Sequence, residues 1–261
     1  MSNTFEHAMD ATDAYLPISA GQVFFIADTH FRNRDLPGET ERRNRFLVLM
    51  GRIPSNAAVL LLGDIFDFYF EYRSTVPKRY FDIFHALHQC SRRGVQLHFL
   101  GGNHDCWTRD FFPNELGITV HQEKIRIACQ GRKILCAHGD LAMKGDVGYK
   151  VLRAFLRNRV VVAAARVLHP ELLGAIASSV SKQSKSFRTG PHHEPIARKL
   201  GATAHKRFFS EGNDVFVMGH VHHPLHINED GKEFLILGGW IEHYTYGKLV
   251  NGRLELEAFK E

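Results

Sequence analysis

Three stretches of the chain, 23–28 (VFFIAD), 58–64 (AVLLLGD) and 97–102 (LHFLGG), are apolar at nearly every position and stop at Gly or Asp. A strand with one wet face alternates apolar and polar residues, so an unbroken apolar run predicts a strand covered on both faces. Between these runs the period changes. Phe46, Leu47, Leu49 and Met50 within 41–52, and Tyr80, Phe81, Phe84, Leu87 and Cys90 within 78–93, recur at helical spacing. Strand, helix and strand in this order predict an α/β fold. Farther along, Ile125, Ile127 and Cys129 alternate before Gln130-Gly131, and Ile134 and Cys136 follow it, which predicts a hairpin over 124–137. Strands are expected at 215–218 and 234–237, and a last hairpin turns at Asn251-Gly252, a pair suited to a type I′ turn. The expected architecture is α/β, two packed β-sheets flanked by helices, with loop edges that converge.

Residues 141–210 break the strand rhythm. Tyr149, Leu152, Phe155 and Leu156, then 160–165 and 172–180, have helical patterns, while Arg153, Arg157, Arg159 and Arg166 keep any apolar run too short to span a membrane. The length of 261 residues accommodates one large domain over 22–261, with a helical lid insertion over 141–210 and a flexible N-terminus over 1–21. An apolar content of 44% and a charged content of 23% are those of a globular protein and exclude extended disorder. The first twenty residues have neither a basic start nor an apolar run, so the expected location is the cytoplasm. Cys90, Cys106, Cys129 and Cys136 have no CxxC spacing and fit reduced, mostly buried thiols.

Net charge is +5, and its distribution is uneven. Residues 150–207 hold twelve Lys or Arg against two acids, Glu171 and Glu194, so one segment carries the positive field.

The chemistry collects where the strands end. Asp28-Thr29-His30, Gly63-Asp64, Gly102-Asn103-His104-Asp105, His138-Gly139-Asp140 and Gly219-His220-Val221-His222 follow one another along the chain. Carboxylates, imidazoles and an amide brought to one sheet edge can hold two divalent ions about 3.5–4 Å apart. Asp28, His30 and His222 form one ligand set, and Asn103, His138 and His220 the other, with Asp64 bridging the two ions. Asp67 is a candidate to orient a ligand imidazole through its second nitrogen. Asn103 and His104 stand where charge develops on a reacting oxygen. Mixed oxygen and nitrogen ligation suits manganese, iron or zinc. Of the 17 histidines, His85, His88, His98, His121, His192, His193, His205 and His226 fit ordinary structural or solvated roles.

In this order DxH, GD, GNHD, HGD and GHxH resemble the calcineurin-like metallophosphoesterase superfamily, over residues 22–145 and 213–245. The resemblance implies that superfamily's β-sandwich and two divalent ions, manganese first among them. It implies in-line attack of an activated water on phosphorus. His104 would stabilise charge or protonate the leaving oxygen, and Asp105 would hold His104.

The run HGDLAMKGDVGYKVLRAFLRNR and the later SSVSKQSKSF are similar to the UDP-2,3-diacylglucosamine hydrolases of lipid A biosynthesis. Many of those hydrolases have Arg where this chain has His104. This resemblance implies a nucleotide-linked lipid substrate cleaved at its pyrophosphate. Asp146 and Tyr149 would line the sugar or acyl region, and Ser181, Lys182 and Lys185 would contact phosphate or sugar. Arg157 and Arg159 would be charges on the lid surface, and Trp240 a core residue or a substrate wall. A lid both basic and apolar also suits an anionic membrane surface, which places the enzyme peripherally on the inner face of the cytoplasmic membrane. The alternatives are another nucleotide, another nucleotide-linked lipid or a phosphoprotein as substrate. A nucleic-acid partner is not expected, because the insertion offers only Tyr149, Phe155 and Phe187 for base stacking.

Overall fold

A computed structural model describes residues 14–34, 36–140, 147–176 and 193–260. Two six-stranded sheets pack face to face. One is built on β2 (Gln22–Ile26), β3 (Ala57–Leu61), β4 (Gln96–Leu100) and β5 (Ile118–His121), which run parallel, with the hairpin of β11 (Thr245–Val250) and β12 (Arg253–Ala258) added antiparallel at β2. The other runs in the order β1 (Leu16–Pro17), β6 (Lys124–Cys129), β7 (Arg132–Ala137), β8 (Val215–Met218), β10 (Lys232–Ile236) and β9 (Leu225–Glu229).

The unbroken apolar runs follow from this layering. In β2, Val23 and Phe25 meet Ile127, Val215 and Leu235 of the opposite sheet, whereas Phe24 and Ile26 join a second cluster beneath the helices. That cluster takes Phe46, Leu49 and Met50 from α1 (Glu39–Arg52) and Ile83, Phe84, Leu87 and Cys90 from α2 (Phe81–Arg92). A third cluster covers the outer face of the other sheet, where Phe216, Met218, Phe234 and Ile236 pack with Ala197 and Leu200 of the helix His193–Phe208. The order is helices, sheet, sheet, helix, the α/β sandwich expected. Both predicted turns have the conformation their residues favour, with left-handed φ at Gln130-Gly131 (50° and 75°) and at Asn251-Gly252 (52° and 77°).

Two boundaries differ from the sequence expectation. The chain is packed from residue 14, not 22: Leu16 and Pro17 pair with Ile127 and Ala128, Ile18 is buried, and the Tyr15 hydroxyl donates to Asn213. Residues 1–13 lie outside the described residues. The helix His193–Phe208 belongs to the core and not to the lid, because Ala197 and Leu200 seal the sheet while Glu194, Arg198 and Lys199 are exposed. Helices α4 (Val147–Leu156) and α5 (Arg159–Ala165) and the helical residues 170–176 form the described part of the lid. Trp240 is fully buried among Phe46, Tyr244, Tyr246 and Phe259, so it is core.

Candidate metal centre

The parallel ladders continue past the strands and carry the motif residues to one edge. The Asp28 and His30 amides donate to the Gly63 and Asp64 carbonyls at 3.1 and 2.9 Å. Four non-glycine residues of the motifs are bent into the left-handed region, Asp28 (φ 53°), His30 (45°), Asp64 (54°) and His220 (68°). Such backbone costs about 1–3 kcal/mol per non-glycine residue and persists only where the surroundings enforce it. Close backbone packing does so here. A Cβ on Gly102 would meet the Asp64 nitrogen at 2.5 Å and its Cγ at 3.0 Å, so the Asn103 loop lies directly on Asp64.

Asp105 ties this junction. Its carboxylate accepts the amides of Asp64 (3.1 Å), Ile65 (2.7 Å), Phe66 (3.3 Å) and Gly102 (2.8 Å). The His104 ring, which the resemblance assigned to Asp105, has its Nδ1 2.7 Å from the Asp67 carbonyl. In this geometry Asp105 positions the Asp64 turn, and the Asp67 backbone orients His104.

Among the described residues, three groups of side chains have ligand atoms close enough to share an ion: Asp28, His30 and His222; Asp64, His138 and His220; and His30, Asp64 and His104. In the first, the His30 and His222 Nε2 atoms are 3.3 Å apart and stand 3.8 and 3.5 Å from Asp28 Oδ1. In the second, His138 Nε2 lies 3.5 Å from Asp64 Oδ2, 3.2 Å from His220 Nδ1 and 3.0 Å from the Asn103 amide oxygen. Asp64 Oδ2 also stands 3.8 Å from His30 Nε2 and 3.9 Å from His104 Nε2, so one carboxylate faces both groups. The His138 Nδ1 is 2.9 Å from the Leu62 carbonyl, and Asp67 Oδ1 is 3.9 Å from His30 Nδ1. The seven sequence-predicted ligands are thus brought together.

The electrostatics call for cations. Burial works to raise the Asp64 carboxyl, yet His138, His104 and His30 hold it well below its ordinary value. Burial opposes charge on His138, and Asp64, then Asp28 and Asp140, overcome it and push that imidazole up to about 10. Burial and then Asp64 push the Asp105 carboxyl up to about 6. Without metal an imidazolium therefore supplies the positive charge the carboxylates need. The Asp28 Oδ1 is buried with no hydrogen-bond partner and faces two imidazole nitrogens. A buried carboxylate oxygen left in that state carries a penalty that a cation removes. The donor set fits two divalent ions.

The lid is fastened to the rim of this centre. Arg153 Nε donates to Asp140 at 3.0 Å, the Trp107 indole to the Leu156 carbonyl at 2.9 Å, and the Tyr72 hydroxyl to the Leu168 carbonyl at 3.1 Å. Arg159 is exposed, as expected of a lid-surface charge, but Arg157 is half-buried and points its guanidinium at the Gly102 carbonyl, 3.4 Å away. Asp146, Ser181, Lys182 and Lys185 lie outside the described residues, as does the side chain of Tyr149. The fastening residues Trp107 and Tyr72 escaped the sequence reading. Trp107 stands four residues after Asn103, a proximity to the motif that could have marked it.

The model of the calcineurin-like phosphoesterase family matches residues 21–224. Among curated proteins, a UDP-2,3-diacylglucosamine hydrolase of Porphyromonas gingivalis is 27% identical over 259 residues, covering 92% of this chain and 98% of its own. One of the same name from Nitrosococcus oceani is 28% identical and covers 84% of this chain and 87% of its own. Among solved structures, a dimetal phosphatase from Danio rerio aligns over 92% of this chain and 96% of its own, at 12% identity and a TM-score of 0.44. The family match takes in every residue of the three side-chain groups and most of the chain, and the chain belongs to the calcineurin-like phosphoesterase family.

Proposed function

We propose that this chain is a di-metal hydrolase that cleaves the pyrophosphate of UDP-2,3-diacylglucosamine, releasing UMP and 2,3-diacylglucosamine 1-phosphate in lipid A biosynthesis. The observation that carries the reading is the joint presence of a full ligand set and of relatives, named for that hydrolysis, that align over 92% and 84% of the chain. Two divalent cations, manganese in this reading with iron or zinc as alternatives, would supply an acidified water and neutralise phosphoryl charge. Asp28, His30 and His222 would hold one, Asn103, His138 and His220 the other, and Asp64, which faces both groups, would serve both.

The protein's own groups do the rest. A water oxygen bonds to phosphorus and releases a proton to solvent as the bond from phosphorus to the bridging oxygen breaks, and the departing phosphate oxygen gains a proton. His104 is placed to give it. Its Nδ1–H donates to the Asp67 carbonyl, which turns Nε2 toward Asp64 and the reacting region. The Asn103 amide meets the same region beside His138. Asp105 keeps the Asn103 and Asp64 turns in register through four amides. Asp146, Tyr149, Ser181, Lys182 and Lys185 remain the proposed sugar, acyl and phosphate contacts.

The lid gives a lipid substrate its place. Val151, Phe155, Val160, Val167, Leu172 and Ile176 are exposed, and Arg159 and Arg166 stand among them. Apolar and basic residues together suit an anionic membrane surface or acyl chains. No helix among the described residues is long and apolar enough to cross a membrane. The test is turnover of UDP-2,3-diacylglucosamine against its deacylated counterpart, with UMP measured as product. Equal turnover of both, or none of either with metal supplied, would refute the substrate.

A further inference from the structure

The lid contributes to the centre one charge that has no acidic partner among the described residues. Helix α4 ends at Leu156, where carbonyls lose their helical donors. The Trp107 indole supplies one, 2.9 Å from the Leu156 oxygen, and the Arg157 amide closes the last turn on the Arg153 carbonyl. Arg157 is thereby fixed over the loop that carries Asn103 and His104. Its guanidinium reaches the Gly102 carbonyl at 3.4 Å and stands near the Cys106 thiol, whose titration it influences. Neither balances its charge. Burial pushes the Cys106 thiol up to about 11 even with Arg157 beside it, so the sulfur stays neutral.

The contrast with other half-buried arginines is informative. Arg153, one turn earlier, pairs with Asp140 and Glu123, and Arg43 pairs with Glu39 and Asp82. Among the described residues no carboxylate pairs with Arg157. A half-buried guanidinium without an acid leaves donors of its planar fork open, and a phosphate oxygen satisfies them with charge-assisted hydrogen bonds. The adjoining residues Asn103 and His104 already define where a phosphoryl group sits.

We propose that Arg157 is a substrate-binding residue that takes a phosphate oxygen of the bound pyrophosphate, and that Trp107 is the positioning residue that sets it there. The assignment rests on the phosphohydrolase reading above. Arg157 enters from the lid whereas the metal ligands enter from the sheets, so the lid completes the phosphate site and does not merely cover it.

Calorimetric titration of metal-loaded protein with α,β-methylene-UDP, which is not cleaved at the bridge, tests this. Arg157→Ala is expected to weaken binding about tenfold or more, the loss of a charge-assisted hydrogen bond, and Arg157→Lys to recover part of it. Trp107→Phe should weaken binding less, and the double variant no more than Arg157→Ala alone, because Trp107 acts through Arg157. Metal content and melting temperature should match wild type in all four. Arg157→Ala binding as wild type does, or fully additive losses in the double variant, would overturn the inference. Wild-type hydrolysis of UDP-2,3-diacylglucosamine separates the failures. If wild type turns it over and Arg157→Ala does so with equal kcat/KM, only the Arg157 assignment falls; if wild type neither binds the analogue nor turns the substrate over, both readings fall.

Discussion

Replacing Gly102 by Ala would leave every proposed ligand in place and move only one of them. The added methyl carbon would sit 2.5 Å from the Asp64 nitrogen and 3.0 Å from its Cγ, and ordinary contact begins near 3.4 Å. One of the two loops must therefore yield by nearly 1 Å. Neither yields easily, since Asp105 ties the Gly102 and Asp64 amides to one carboxylate oxygen. Overpacking of this kind costs about 1–3 kcal/mol of stability. A displacement of about 1 Å at a reacting centre lowers turnover about 10²-fold, equivalent to ~2.7 kcal/mol of barrier. The assay is kcat/KM for UDP-2,3-diacylglucosamine alongside metal content after dialysis and a urea melt. A variant that is folded, poorly metallated and about a hundredfold slower is the expected result. Wild-type turnover with full metal content would refute the reasoning, because it would mean that the Asp64 turn need not be held where the structure has it.

Asp64→Ala should abolish turnover while circular dichroism shows the fold retained; residual activity above a few per cent would remove Asp64 from the bridge. Chelation should stop hydrolysis, and re-added manganese should restore it. If cations bind only the folded chain, metal at a hundredfold excess over Kd adds about 2.7 kcal/mol of stability, a rise of about 5–10 °C in melting temperature, and no rise would count against the centre. His98 Nδ1 lies 3.1 Å from His121 Nε2, and burial, then His121, pull the His98 imidazole down to about 4 from 6.5. The unfolded chain then binds the extra proton first, so stability present above pH 6.5 is lost as pH falls through 4, about 3 kcal/mol from this group. His98→Leu should flatten that part of the acid profile in urea titrations of metal-free protein, and an unchanged profile would refute it. Val160→Glu with Val167→Glu should weaken flotation with phosphatidylglycerol vesicles while leaving turnover of deacylated substrate unchanged; undiminished flotation would exclude this face as the membrane contact.

The parts of the fold legible in the sequence are those whose side chains meet apolar neighbours on every side. β2, β3 and β4 lie between the opposite sheet and the helices, and their pattern carries the whole message. β9 escaped notice because it lies at the edge of its sheet with most residues exposed or half-buried, although Asp230-Gly231, at φ 50° and 75°, marks its hairpin. The helix His193–Phe208 reads as lid because it lies in a stretch without strand rhythm, while its core contact rests on only Ala197 and Leu200. The proposed ligands are legible because each follows a strand end within a few residues, and a parallel sheet aligns such ends. Arg157 was not, since its place depends on the Trp107 bond to Leu156 across 49 residues. Asp105 was read as a partner of His104, but its four amide bonds depend on turns that only the folded loops create.

Asp28 Oδ2 accepts the His220 amide at 2.7 Å, joining residues 192 apart and belonging to different sheets. The proposed ligands divide the same way, Asp28, His30, Asp64 and Asn103 after strands of one sheet and His138, His220 and His222 after strands of the other. Two metal ions there would act as a removable clamp between the sheets, favouring the folded chain by binding only to it. Any sliding of one sheet over the other would pull each ligand set apart. The register of the sandwich and the capacity for hydrolysis would then be gained and lost together, which makes metal affinity a direct gauge of how well the two halves of the protein are assembled.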